Sequence, residues 1–162
     1  RKIAIRVIDS VIKANPRLRV LRRPQPEPPL YGGEMSSLDE FIRQENSRKT
    51  LPVRQGLLQH LIQTYGTNYE AVIACAHGNP DLLKPLTPLG YPLPAEVVYS
   101  VQNEHAVHLS DFMFRRTRLA HGPHRDSLPL IQTIAETMGA ERGWSKEEIQ
   151  KECEAYLTEI TR

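Results

Sequence analysis

The chain has 162 residues, of which 40% are hydrophobic and 25% charged, and its formal net charge is +2. That length fits one domain with a real core, and so small a charge argues against a nucleic-acid partner held by net charge alone. No apolar run approaches the roughly 20 residues that a membrane-spanning helix needs.

In chain order, Ile3, Val7, Ile8, Val11 and Ile12 recur at helical spacing, so an amphipathic helix is expected over residues 1–15. The chain opens inside that helix with no Met or leader, as expected of a piece cut from a longer polypeptide. Pro16 ends the helix by disfavouring helical geometry at Asn15. Pro24, Pro26, Pro28 and Pro29, with Gly32 and Gly33, then make residues 16–36 an extended linker. Its Arg17, Arg19, Arg22 and Arg23 form a basic stretch that reads first as a solvated loop.

From Ser37 to the end, residues 37–162, the pattern is helical. Ser37 and Glu40 form a capping box ahead of Leu38, Phe41 and Ile42. Leu57, Leu58, Leu61 and Ile62 predict a helix from about Val53 to Tyr65, stopped by Gly66. A short helix follows from about Asn68 to His77, and a proline-punctuated stretch with one helical turn leads to Pro94. The periodicity then predicts one long central helix from about Ala95 to Leu119, another from about Leu128 to Arg142, and a last one capped by Ser145 and Glu148. Trp144 and Ile149 stand where a hydrophobic staple would place them. The fold class is therefore all-α, an irregular bundle of six or seven helices without a fixed repeat.

No phosphate-binding glycine loop, HExxH or GxSxG is present. Cys75 and Cys153 lack CxxC spacing and read as reduced, packed cysteines. His105 with His108, and His121 with His124, stand three apart with Asp111 nearby, but four convergent ligands are not evident, so no metal site is assigned. His60 and His77 read as polar edge or helix-end residues.

The densest ionic stretch is "EHAVHLSDFMFRRTRL", residues 104–119. On one continuous helix Glu104, His108, Asp111, Arg115 and Arg118 would share a face, with Asp111 and Arg115 an i, i+4 pair. Glu104, Asp111, Arg115, Arg116 and Arg118 are accordingly expected to form a structural ionic brace. No catalytic, cofactor-binding or metal-binding residue is assigned. A solvated charged face is the alternative for these side chains.

The same stretch resembles the Glu-x-Ala-x-x-Leu-x-Asp-x-x-x-Arg-Arg-Thr-Arg signature of the C-terminal helical domain of FAD-dependent glycerol-3-phosphate dehydrogenases and the related oxidases. "MGAERGWSKEEIQKECEAYL" is similar to that domain's closing pattern, "LIQTYGTNYEAVI" to its Tyr–Gly element, and "RKIAIRVID" to the segment that follows the flavin domain. The resemblance implies a parent enzyme that oxidises sn-glycerol 3-phosphate to dihydroxyacetone phosphate with FAD and passes electrons to quinone, or to oxygen in the oxidases. It implies an upstream flavin domain that holds the cofactor and owns residues 1–15 as its terminal helix. A homodimer, peripheral on the inner (plasma) membrane of a bacterium and facing the cytoplasm, is implied as well. Mitochondrial members carry EF-hands, and no D-x-[DN]-x-[DN]-G loop occurs here, which points to the bacterial type. The fragment itself is then a structural cap, without FAD and without activity of its own. A different class, a non-enzymatic helical adaptor or nucleic-acid-binding module, is the alternative. A third reading keeps the family and gives Arg17 to Arg23 a quinone or lipid contact.

Overall fold

The computed structural model describes residues 2–15, 17–18, 28–48, 54–117, 119–121 and 124–161. Among them the helical periodicity resolves into seven α-helices and no strand: α1 (Lys2–Ala14), α2 (Leu38–Ser47), α3 (Gln55–Tyr65), α4 (Tyr69–Ala74), α5 (Pro94–Asn103), α6 (His124–Arg142) and α7 (Lys146–Ile160). The all-α expectation holds.

Local signals account for most ends. Ser37 Oγ accepts the Glu40 amide at the start of α2. At α7 the capping box is complete, since Ser145 Oγ accepts the Glu148 amide and the Glu148 carboxylate accepts the Ser145 amide. Gly66 stops α3 at φ 60°. It also lets two backbones touch: a Cβ on Gly66 would lie 1.8 Å from the carbonyl oxygen of Gly32, which accepts the Thr67 amide at 2.9 Å. The far end of the proline-rich stretch is thus pinned to the α3–α4 corner, with Gly32 buried and Thr67 Oγ1 donating to Glu34 at 2.6 Å.

Two apolar clusters share α5. Leu58, Leu61 and Ile62 of α3 pack with Tyr69, Val72 and Ile73 of α4 against Ala95 and Tyr99. Ile131, Ile134 and Met138 of α6 pack with Cys153 and Tyr156 of α7 against Val97, Leu109, Phe112 and Met113. Ala95 to Ser100 are all buried, as befits a helix enclosed on every side. By contrast Ile3, Val7, Ile8 and Val11 of α1 are exposed.

The single long helix expected from about Ala95 to Leu119 is not formed. α5 ends at Asn103, and His105 adopts φ 55°. The chain re-enters a helix at Leu109 and continues as a π-helical turn over Asp111–Arg116. Apolar periodicity runs through the break because Val97, Leu109 and Phe112 all reach one core, whichever path the backbone takes between them.

Candidate functional site: carboxylate clamps at the helix junctions

The break redistributes the charges of residues 104–119. Asp111 stands at the third position of the new helical segment, and one of its oxygens accepts the amides of Val107 and His108, both at 2.9 Å. Those are orphan donors of a helix start, satisfied as the acidic member of a capping box satisfies them. Its other oxygen pairs with Arg115 one turn on. Burial works against ionisation of Asp111, but the two amides and the Arg115 charge outweigh it and hold its carboxyl below the usual range.

Glu104 and Arg116 close the gap across the break. Arg116 Nε lies 3.0 Å from Glu104 Oε2, an ion pair whose alignment falls short of a hydrogen bond. The same guanidinium donates to the Glu104 carbonyl oxygen at 2.7 Å. Burial pushes the Glu104 carboxyl up, and the Arg116 charge opposes it. Arg115 is largely exposed and, among the described residues, pairs with Asp111, whereas Arg118 lies outside the described residues. Among the described residues, the face predicted to carry ionic side chains in line is replaced by separate pairs, which include Asp111–Arg115 within the turn and Glu104–Arg116 across the break.

A third carboxylate arrives from α7. Glu152 accepts the Leu109 amide at 2.9 Å and faces His108 Nδ1 at 2.9 Å, so α7 caps the same helix start that Asp111 caps. His121 Nε2 donates to the Phe114 carbonyl at 3.2 Å. No group of three or more His, Cys, Asp or Glu side chains converges for a metal ion among the described residues.

Two deeper carboxylates carry no motif in the sequence. Glu96 is 2% exposed. It accepts His60 Nε2 at 3.0 Å, Tyr65 Oη at 3.1 Å and the Leu93 amide at 2.7 Å, tying α3 to the first turn of α5. A carboxylate only accepts, so His60 must carry its proton on Nε2. Glu45, 3% exposed, accepts Tyr69 Oη at 2.5 Å and Arg48 at 3.0 Å, tying α2 to α4. The available signal was an acid at a core-facing helical position, Glu96 between the apolar Ala95 and Val97. His60 is better described as the partner of that acid than as an edge residue.

The buried hydroxyls and thiols are held in their protonated forms. Burial, reinforced by Glu96, pushes the Tyr65 hydroxyl far up, and burial with Glu45 does the same to Tyr69, so both stay protonated donors. Burial also raises the Cys75 and Cys153 thiols, away from the thiolate that a nucleophile requires. For a dinucleotide such as FAD the fit is poor. Its pyrophosphate needs a glycine-rich turn between a strand and a helix, and the described residues contain no strand.

Helices joined through hydrogen-bonded and ion-paired carboxylates define an all-α domain. Residues 27–149 match the family described as the C-terminal domain of alpha-glycerophosphate oxidase, and the chain belongs to that family. It is 30% identical over 127 residues to "Glycerol-3-phosphate dehydrogenase 2" of Mycobacterium tuberculosis, covering 75% of this chain and 22% of the relative. It is 32% identical over 127 residues, with the same coverage, to "Glycerol-3-phosphate dehydrogenase" of Mycobacterium leprae. Identity to the Synechocystis protein of that name is 31% over 99 residues, covering 61% of this chain and 18% of the relative. The chain thus spans about a fifth of the length of the relatives it matches.

Proposed function

We propose that this chain is the helical cap of an FAD-dependent glycerol-3-phosphate dehydrogenase, supporting a flavin domain that performs the oxidation to dihydroxyacetone phosphate and hands electrons to quinone. The family match over residues 27–149 carries this reading. Glu104, Asp111, Arg115 and Arg116 act in it as a brace that fixes the end of α5 against the π-helical turn, and Arg118 belongs to the same motif. Residues 1–15 belong to the flavin domain: the exposed Ile3, Val7, Ile8 and Val11 of α1 form an apolar face of the kind that a larger body covers. The parent is a homodimer, bound peripherally to the cytoplasmic side of a bacterial plasma membrane, and no helix among the described residues is long and apolar enough to cross a membrane.

The test compares the purified chain with the full-length protein in a dye-reduction assay with glycerol 3-phosphate. The full-length protein should carry flavin absorbance and turn over, and the isolated chain should do neither. Turnover by the chain alone, or a full-length protein that leaves glycerol 3-phosphate untouched, would contradict the proposal.

A further inference from the structure

A cleft of about 830 Å³ opens between the outer face of α3 and the loop of residues 83–91, within the range of about 300–1,000 Å³ typical of small-molecule sites. Arg54 and Lys84 line it, and among the described residues no carboxylate does. Lys84 is shared with Asp81 at 2.7 Å, but that pair is exposed and open to exchange. The apolar walls come from Leu57, Leu83 and Leu89.

The loop is held by its own hydrogen bonds and by ring stacking. Leu86 donates to the Pro92 carbonyl at 2.9 Å and Gly90 to the Thr87 carbonyl at 3.1 Å. Thr87 Oγ1 donates to the Tyr91 carbonyl at 2.5 Å. The Tyr91 ring stacks on His60 at 4.4 Å, and His60 is itself held by the buried Glu96. This hydrogen-bonded loop nevertheless holds Leu89 at 76% exposure. A hydrogen-bonded wall with an exposed apolar tip, beside the cations of Arg54 and Lys84, suits a ligand with an apolar body and a negative head.

We propose that this cleft binds a small amphiphilic organic anion, a medium-chain carboxylate or phosphate monoester, with its head toward Arg54 and Lys84 and its chain along Leu57, Leu83 and Leu89. The site stands independently of the parent enzyme's reaction. Gly56 provides a probe, because a Cβ there meets no described residue within 4 Å, so Gly56→Phe adds a ring at the cleft wall.

Octanoate and octyl phosphate are titrated into the full-length protein by calorimetry, with inorganic phosphate and anionic phosphatidylglycerol vesicles as separate arms and the melting temperature of each variant as a control of folding. Saturable binding of octanoate or octyl phosphate is expected, lost in Gly56→Phe and weakened about ten-fold or more in the Arg54→Gln/Lys84→Gln variant, the loss of roughly one charged contact. If Gly56→Phe lowers the melting temperature, the surface charge variant decides. The proposal is overturned by the absence of saturable binding, by binding that the deciding variant leaves unchanged, by inorganic phosphate binding as tightly as octyl phosphate, or by binding to vesicles alone.

Discussion

The two halves of the helical body place their carboxylates at different depths. Around α3, α4 and the start of α5 they are sunk: the side chains of Glu96 and Glu45 are 3% and 4% exposed and bonded to tyrosine hydroxyls. Around the break after α5 they ride at the rim, with the side chains of Glu104, Asp111 and Glu152 at 26%, 22% and 20% exposure. A sunken carboxylate has exchanged all its water for protein donors, so removing it strands several buried groups together. A rim carboxylate keeps part of its water, and its loss can be repaired by solvent. The ionic stretch most conspicuous in the sequence is therefore the weaker of the two systems.

The sharpest way to break that comparison is Glu96→Ala. It strands His60, Tyr65 and the Leu93 amide, and should cost about 3–5 kcal/mol, as does breaking a buried charged contact. Denaturant unfolding followed by circular dichroism measures it, and a loss below about 1 kcal/mol would remove the distinction between halves. Next is Gly66→Ala, whose new methyl would collide with the Gly32 carbonyl. About 1–3 kcal/mol is expected from forcing that backbone apart, together with faster proteolysis before Ser37; unchanged cleavage would show that the pinned corner does not restrain that segment.

Arg116→Met should cost less, about 1–2 kcal/mol, by losing contacts to both the carboxylate and the carbonyl of Glu104. A double-mutant cycle with Glu104→Gln should return a coupling of about 0.5 kcal/mol or more, and additivity would mean that the two side chains do not act as a pair. Arg115→Gln is the smallest, within about 0.5 kcal/mol, because its pair with Asp111 is exposed on the arginine side.

The rim also predicts a sign for pH. Asp111 has its folded pKa lowered, so its contribution is present above the ordinary aspartate value of about 3.9 and is lost as pH falls through the lower folded value. Glu104 has its folded pKa raised by burial, so its contribution is present below the ordinary glutamate value of about 4.3 and is lost as pH rises through the higher folded value. Acid titrations of stability in Asp111→Asn and Glu104→Gln should therefore diverge from the parent in opposite senses, and identical profiles would refute the assignment.

Most helices were legible because caps and periodicity agreed, as at Ser145–Glu148 and Gly66. The break at His105 was not, since "EHAVHLSD" lacks Pro and Gly and its apolar residues keep helical spacing on both sides. Only Asp111, three residues beyond His108, hinted at a second helix start, and without Ser or Thr at the cap that hint is weak. The sunken clamps were illegible for another reason. Glu96 meets His60 and Tyr65 from 36 and 31 residues away, and no local spacing encodes such a meeting. The family signature was readable in residues 104–119 even though the geometry inferred from its spacing was not.

The central claim is that residues 104–119 hold the fold and do not act on substrate. Its most direct test is Arg116→Gln in the full-length protein, measuring kcat/KM for glycerol 3-phosphate per bound flavin alongside the melting temperature. The account predicts a lower melting temperature with kcat/KM within about two-fold of the parent, well under 1 kcal/mol in transition-state stabilisation. A loss of about a hundred-fold or more at an unchanged melting temperature would place Arg116 in the chemistry and contradict it.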